Sequence, residues 1–230
     1  MWTQAGIMKL HIISDTHTKH RELNLPGGET LIHAGDFMSS GHSVREFEEF
    51  LQWMNGQDYT HKILIAGNHD RILEIEPELA KSILDGFPKI TYLQDEGCTI
   101  DGINFYGSPW TPAFCGWAFQ LHNDYEDTEI WRKIPTDTDV LITHGPAYGF
   151  LDQFLMPTGN LSARLGSKGL HNWIDANNPN VHICGHIHTP PEQILDGYGE
   201  ITTHINAACL NESYEFKNNK GYIEWNITTQ

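Results

Sequence analysis

Five short stretches of this chain end in residues that hold metal ions or move protons: Asp15-Thr16-His17, Gly35-Asp36, Gly67-Asn68-His69-Asp70, Thr143-His144-Gly145 and Gly185-His186-Ile187-His188. Each alone reads equally well as a turn in which Asp or Asn bonds its own backbone. Together they supply seven candidate ligands, Asp15, His17, Asp36, Asn68, His144, His186 and His188. Asp-x-His and His-x-His put alternate side chains on one side of an extended chain, where both can reach one ion. Seven donors exceed a tetrahedral zinc site, and two ions sharing Asp36 account for them economically. The mixture of imidazole and carboxylate favours two divalent transition-metal ions, manganese first with iron or zinc as substitutes, over calcium; magnesium suits it less.

Two such cations ~3.5 to 4 Å apart clamp a phosphoryl group and lower the pKa of a water between them, which gives hydroxide near neutral pH. His69 adjoins Asn68 without being needed as a ligand, so it is placed to protonate a departing alkoxide as general acid. Asp70 then reads as the carboxylate that holds the tautomer of His69. Ser108 to Gln120 carries Trp110, Phe114, Trp117 and Phe119 among prolines and glycine. Trp110 and Trp117 are candidates for a wall that stacks on a base or excludes water. Arg164 and Lys168, in the polar loop 148–169, are candidate contacts for a substrate phosphate.

Elements that could present these residues are visible as apolar runs. Met8 to Ser14 and Thr30 to Ala34 lead into the first two motifs, and Ile63-Leu64-Ile65 runs into Ala66-Gly67. Continuous rather than alternating hydrophobicity suits strands covered on both faces, and ligands bind where such strands end. Between them, Val44, Phe47, Phe50, Leu51 and Met54 have helical spacing, with Ser43 as N-cap and Glu46 as its capping-box partner. A second helix is expected from Glu76 to Leu84. Short strands follow to Tyr106, with Asp101-Gly102 as a hairpin turn. Glu126 to Lys133 and Leu170 to Ala176 read as helices. Asp139 to Thr143, the run before Gly185, Thr202 to Asn206 and Tyr222 to Ile227 read as strands, with His182 a structural strand residue.

The chain has 230 residues, enough for one domain with a sizeable core. No apolar run reaches the ~18 to 20 residues of a membrane helix, and Met1 to Met8 lacks the basic region of a signal peptide, so the expectation is a soluble, cytoplasmic protein. Four widely spaced cysteines suggest neither a zinc-thiolate site nor a disulfide framework. Lys and Arg total 14 against 30 Asp and Glu, a net charge of −16 that disfavours duplex nucleic acid as a partner. A small anionic substrate remains compatible where bound cations reverse the local field.

The five motifs, in this order over residues 13 to 188, resemble the calcineurin-like metallophosphoesterases. The resemblance implies a four-layer α-β-β-α sandwich of two mixed sheets. It also implies one metal on Asp15, His17, Asp36 and His188, and the other on Asp36, Asn68, His144 and His186. Gly-Ser-Pro-Trp-Thr-Pro and Phe-Cys-Gly-Trp-Ala-Phe, within 107 to 119, look like the metallophosphoesterase-domain-containing branch, whose members hydrolyse cyclic nucleotides and other phosphodiesters. Ala147 stands where that branch commonly has a second proline after His-Gly-Pro. Phe37, Met38 and Asp70 replace the Arg and Glu of the protein phosphatases, which argues against a phosphoprotein substrate. The expected partner is therefore a small phosphodiester, a nucleotide foremost. A nuclease, a broad phosphatase and a non-catalytic scaffold are the alternatives.

Overall fold

Ile63-Leu64-Ile65 lies with no exposed surface on either face, as its unbroken apolar run requires. The computed structural model describes residues 6–156, 158–190, 193–195, 202–218 and 220–228. In chain order the first half runs β1 (Ile7–Ile13), β2 (Gly28–Ala34), α1 (Val44–Asn55), β3 (Tyr59–Ile65), α2 (Ile72–Ile75), α3 (Pro77–Leu84) and β4 (Thr91–Tyr92). The hairpin β5 (Glu96–Ile100) and β6 (Ile103–Ser108) follows. Two very short parallel strands, β7 (Thr111–Pro112) and β8 (Gln120–Leu121), bracket the aromatic loop. The second half continues with α4 (Asp124–Trp131), β9 (Val140–Thr143), α5 (Lys168–Asn177), β10 (Val181–Cys184), β11 (Ile194–Leu195), β12 (Thr203–Asn206) and β13 (Ile223–Thr228).

These strands form two mixed sheets. In one the order is β13-β1-β2-β3-β4, with only β13 antiparallel to its neighbour. In the other it is β11-β12-β10-β9-β6-β5, parallel except at its two edges. Alternate residues of the central strands face opposite layers. Leu10, Ile12, Ile32, Ile63 and Ile65 meet Phe105, Ile142, Ile183 and Ile205 in the layer between the sheets. The other face of the first sheet, through Ile13, Leu31 and Leu64, is covered by Phe47, Phe50, Leu51 and Met54 of α1 and by residues of α2 and α3. Tyr106 and Leu141 on the second sheet are covered by Ile130 and Trp131 of α4 and Leu170 and Ile174 of α5. The result is the four-layer α-β-β-α sandwich.

Local signals decide the element ends. Ser43 accepts a hydrogen bond from the Glu46 N–H at 3.2 Å and caps α1. The capping box is only half made, because the Glu46 carboxylate binds the Ser39 N–H instead (3.1 Å). Asp101 and Gly102, both at positive φ, turn the β5–β6 hairpin. Pro77 opens α3, where its missing N–H costs nothing. The stretch after His17 contains a 3-10 turn, Lys19–Glu22, where the sequence suggests only loop. All four cysteines are free thiols.

Candidate metal centre

The candidate residues leave from the C-terminal ends of parallel strands in both sheets: Asp15 and His17 after β1, Asp36 after β2, Asn68 and His69 after β3, His144 after β9, and His186 and His188 after β10. The first sheet thus contributes Asp15, His17, Asp36 and Asn68, and the second His144, His186 and His188. The structure brings all seven together. Asp36 lies between the groups, its Oδ2 3.3 Å from His144 Nε2 and 3.8 Å from His17 Nε2. On one side His188 Nε2 is 3.4 Å from Asp15 Oδ1 and 3.2 Å from His17 Nε2. On the other, Asn68 Oδ1 is 3.0 Å from His144 Nε2, and His186 stacks edge-on against His144. Asp15, His17 and His188 offer atoms within 4.8 Å of one another, and so do Asp36, His144 and His186.

Convergence does not come from strand alternation. Asp15, His17, Asp36 and His186 all have positive φ, a conformation that costs a non-glycine residue of order 1 kcal/mol or more and that clusters at functional loops. Backbone bonds hold them there, Asp15 N–H to Gly35 O and His17 N–H to Asp36 O. The same twist sends the two His-x-His side chains apart. His188 joins Asp15 and His17, whereas His186 joins Asp36 and His144. Two motif glycines make room for the carboxylates. A Cβ on Gly67 would lie 2.3 Å from Asp36 Oδ1, and one on Gly185 2.2 Å from Asp15 Oδ2.

The imidazoles are aimed by main-chain carbonyls. Nδ1 of His17 faces Met38 O (3.2 Å), that of His144 faces Ala34 O (2.9 Å), and that of His188 faces Asn211 O (3.2 Å). A carbonyl only accepts, so each Nδ1 carries a proton and Nε2 is the ring atom turned inward. The Nε2 atoms of His17 and His188 face each other at 3.2 Å between the Asp15 and Asp36 carboxylates. The carboxylates make the same demand. Burial works to raise both, but His144 beside Asp36 and the His188 hydrogen bond to Asp15 outweigh it and hold them below the usual range. His144 answers from the other side: burial lowers it, Asp36 raises it more, and it stands at about 9. Burial takes His186 down to about 4, so it is a neutral donor. Buried carboxylates with imidazole nitrogens turned toward them fit divalent cations, which would take the place of the protons that His144 and His188 share with Asp36 and Asp15.

His69 stands at the mouth of this group. Its Nδ1 donates to Ser39 O at 2.6 Å, the carbonyl whose own N–H Glu46 holds, so Nε2 is the atom left for chemistry. Asp70 does not touch His69, which corrects the expected role. The turn closed by Asp70 N–H to Gly67 O points His69 outward and Asp70 inward. There the fully buried Asp70 carboxylate accepts the N–H groups of Asp36 (2.8 Å), Gly67 (2.7 Å) and Met38 (2.9 Å). Burial, and then the charge of Asp36, push it upward while those amides pull it back.

A cleft of about 280 Å³ opens over these residues, with Phe114, Trp117 and Tyr214 on its walls together with His69 and Glu212. Trp117 stacks on His69 with centroids 3.9 Å apart. Trp110 is not at the cleft. Its indole N–H donates to Asp95 (3.0 Å) and its ring packs edge-on against Phe119, which corrects its assignment to the wall. Arg164 is also spent elsewhere, on the buried Asp152 at 2.8 Å, and Lys168 begins α5. Neither lines the cleft, so Arg164 does not stand where the expected phosphate contact would be made.

Several contributors carry no warning in the sequence. Tyr214 packs edge-on against His17 and His188. Asn206, at the end of β12, donates to Gly185 O and Ile187 O (3.1 Å each) and so shapes the loop that holds His186. Its position at a strand end was the one available clue.

Comparison with known proteins agrees with this architecture. The family profile described as calcineurin-like phosphoesterase matches residues 8–190. Metallophosphoesterase domain-containing protein 1 of Homo sapiens is 35% identical over 231 residues, covering 91% of this chain and 68% of that protein. A UPF0046 protein of Caenorhabditis elegans is 34% identical, covering 91% and 72%. Among solved structures, phosphopantetheinyl hydrolase from Mycobacterium tuberculosis superposes with a TM-score of 0.63 at 15% identity, over 94% of this chain and 95% of that one. The chain belongs to the calcineurin-like phosphoesterase family, in the branch of the metallophosphoesterase domain-containing proteins.

Proposed function

We propose that this protein is a phosphodiesterase that uses two divalent cations to hydrolyse small phosphodiesters, cyclic nucleotides foremost, with His69 as proton donor. The observation that carries the reading is the convergence of imidazole Nε2 atoms and two buried carboxylates around Asp36, beneath a cleft walled by aromatic side chains. Asp15, His17, Asp36 and His188 would hold one ion, and Asp36, Asn68, His144 and His186 the other. The donor set favours manganese, iron or zinc. Bound there, the ions would supply positive charge to the phosphoryl oxygens and lower the pKa of a water between them.

The chain's own residues do the rest. Phe114 and Tyr214 offer ring surface to a nucleobase, and Trp117 helps them shed water from the cleft. Water oxygen bonds to phosphorus as the ester P–O bond breaks in line. The departing oxygen takes the proton from Nε2 of the His69 imidazolium, whose other N–H stays on Ser39 O; this leaves a neutral ring, and the proton lost by the attacking water goes to solvent, from which His69 takes up a proton again. General acid help of this kind is worth roughly 10² to 10⁴ in rate.

The test is hydrolysis by metal-stripped protein reloaded with manganese, on bis(p-nitrophenyl) phosphate, its monoester, and 2′,3′- and 3′,5′-cyclic nucleotides. Manganese-dependent cleavage of diesters including a cyclic nucleotide is expected, and His69→Asn should lower turnover of the latter strongly with both metals retained. Preference for the monoester would replace this reading with a phosphatase. Bound metal with no hydrolysis of any of them would replace it with a scaffold.

A further inference from the structure

Arg71 has no part in the ligand set, yet its surroundings tie it to His69 through two contacts. Its Nη2 donates to Gly116 O at 3.0 Å, and its guanidinium lies 4.5 Å from the centroid of the Trp117 ring. Trp117 in turn stacks on His69 at 3.9 Å with 24° between the ring planes. Nε of Arg71 is buried without a hydrogen-bond partner among the described residues, so the Gly116 carbonyl and the indole face are the contacts that hold the guanidinium there. At its tip the loop is otherwise closed by bonds to Phe114 O from Gln120 Nε2 and from the Trp117 N–H, neither of which touches the Trp117 ring. Cys115 and Gly116 both have positive φ, and a Cβ on Gly116 would meet no atom within 4 Å. On its far side the loop is fastened by the Ala118 N–H bond to Asn68 O, directly before His69.

An imidazole fixed at one nitrogen still swings about that bond. The 2.6 Å bond from Nδ1 to Ser39 O keeps a proton on that nitrogen, and the His17 ring meets His69 edge-on at 4.8 Å, but neither contact covers the face of the ring. Contact with a flat indole removes that freedom, because stacking sets the ring plane and therefore the direction of Nε2. Proton transfer needs the donor within hydrogen-bond reach and in line with the departing oxygen.

We propose that Arg71 is a positioning residue for the proton donor: by clasping the loop at Gly116 it presses Trp117 onto the His69 imidazole and so sets the direction of Nε2. This rests on the reading of His69 as proton donor. It assigns the aromatic loop a second duty beside lining the cleft, and it makes the leaving group the quantity that reports on Arg71. A ribose alkoxide needs a proton to depart, whereas p-nitrophenolate leaves without one.

The experiment compares Arg71→Met, Arg71→Lys and His69→Asn with the unaltered protein, all manganese-loaded, on a 2′,3′-cyclic nucleotide and on bis(p-nitrophenyl) phosphate. Arg71→Met is expected to lower kcat on the cyclic nucleotide about tenfold, a fraction of what full loss of a general acid costs, and to lower it on the activated diester by less than about threefold on the same ground. Arg71→Lys, which keeps charge but not the planar fork, should recover only part of the loss. Independently of turnover, the His69 ring proton signal in metal-free protein should be shifted upfield by the indole and move toward its exposed position in Arg71→Met. If His69→Asn itself loses both substrates equally, the proton-donor reading fails. If His69→Asn shows the leaving-group dependence and Arg71→Met does not, or if the His69 signal is unmoved in Arg71→Met, the positioning role is overturned.

Discussion

Replacing Asp70 by Asn keeps the shape of the side chain and removes one acceptor and the charge. In the structure Oδ2 accepts from the Asp36 and Gly67 N–H groups and Oδ1 from that of Met38, at 2.7 to 2.9 Å. An Asn oriented with its carbonyl at the Oδ2 position retains two of these bonds in neutral form. Its amino group then confronts the Met38 N–H, donor against donor. One charge-assisted bond is worth about 1.5 to 3 kcal/mol and a buried N–H left unpaired costs about 1 to 3, so relaxation included the variant should lose roughly 3 kcal/mol. Against a usual stability of about 5 to 15 kcal/mol that is a large share, and for a chain of this size it corresponds to about 6 to 12 °C in Tm. Urea denaturation followed by tryptophan fluorescence at pH 7.5 measures it. A loss below about 0.5 kcal/mol, the size of an ordinary surface change, would refute the reasoning and show that Asp70 is already a neutral acid whose proton the three amides tolerate.

Two further outcomes follow from the same geometry. Manganese at a hundredfold excess over its Kd should stabilise the protein by about 2.7 kcal/mol per ion, roughly 5 to 11 °C, an effect Asp36→Asn should abolish; unchanged melting of the metal-stripped protein on manganese addition would contradict a metal centre. The buried pair His182 and His204, joined through their Nδ1 atoms at 3.0 Å, is kept neutral by burial, His204 down to about 4. Their contribution to stability is complete above the ordinary histidine range and is lost as pH falls from about 6.5 toward 4, so each should cost about 1.4 kcal/mol between pH 7.5 and 5.5. His204→Gln should flatten that slope in denaturant titrations, and an identical slope would show that neither ring is held neutral.

The candidate metal ligands were legible because each closes an apolar run, and a run that is apolar throughout has few readings other than a doubly covered strand. Ile63-Leu64-Ile65 before Asn68 is the clearest case. What sequence could not carry is the partner of each side chain when that partner is backbone. The carbonyls of Met38, Ala34, Asn211 and Ser39 aim four imidazoles, and a carbonyl has no residue identity to read. Asp70 was misassigned for the same reason, since adjacency to His69 suggested a side-chain partner and the turn delivered three amides. Trp110 and Arg164 show a second limit: types suited to substrate binding are equally suited to a buried Asp95 or Asp152, and only the path of the chain chooses. Alternation failed at His186 and His188 because the strand ends at Cys184, before the rule is applied.

The division of ligands between the two sheets also bears on time. Asp15, His17, Asp36 and Asn68 are all made within the first third of the chain, whereas His144, His186 and His188 arrive after β9 and β10. Asn211, whose carbonyl turns His188 inward, comes later still. A chain emerging from the ribosome therefore carries part of the candidate site, both carboxylates with His17 and Asn68, until the second sheet brings His144, His186 and His188.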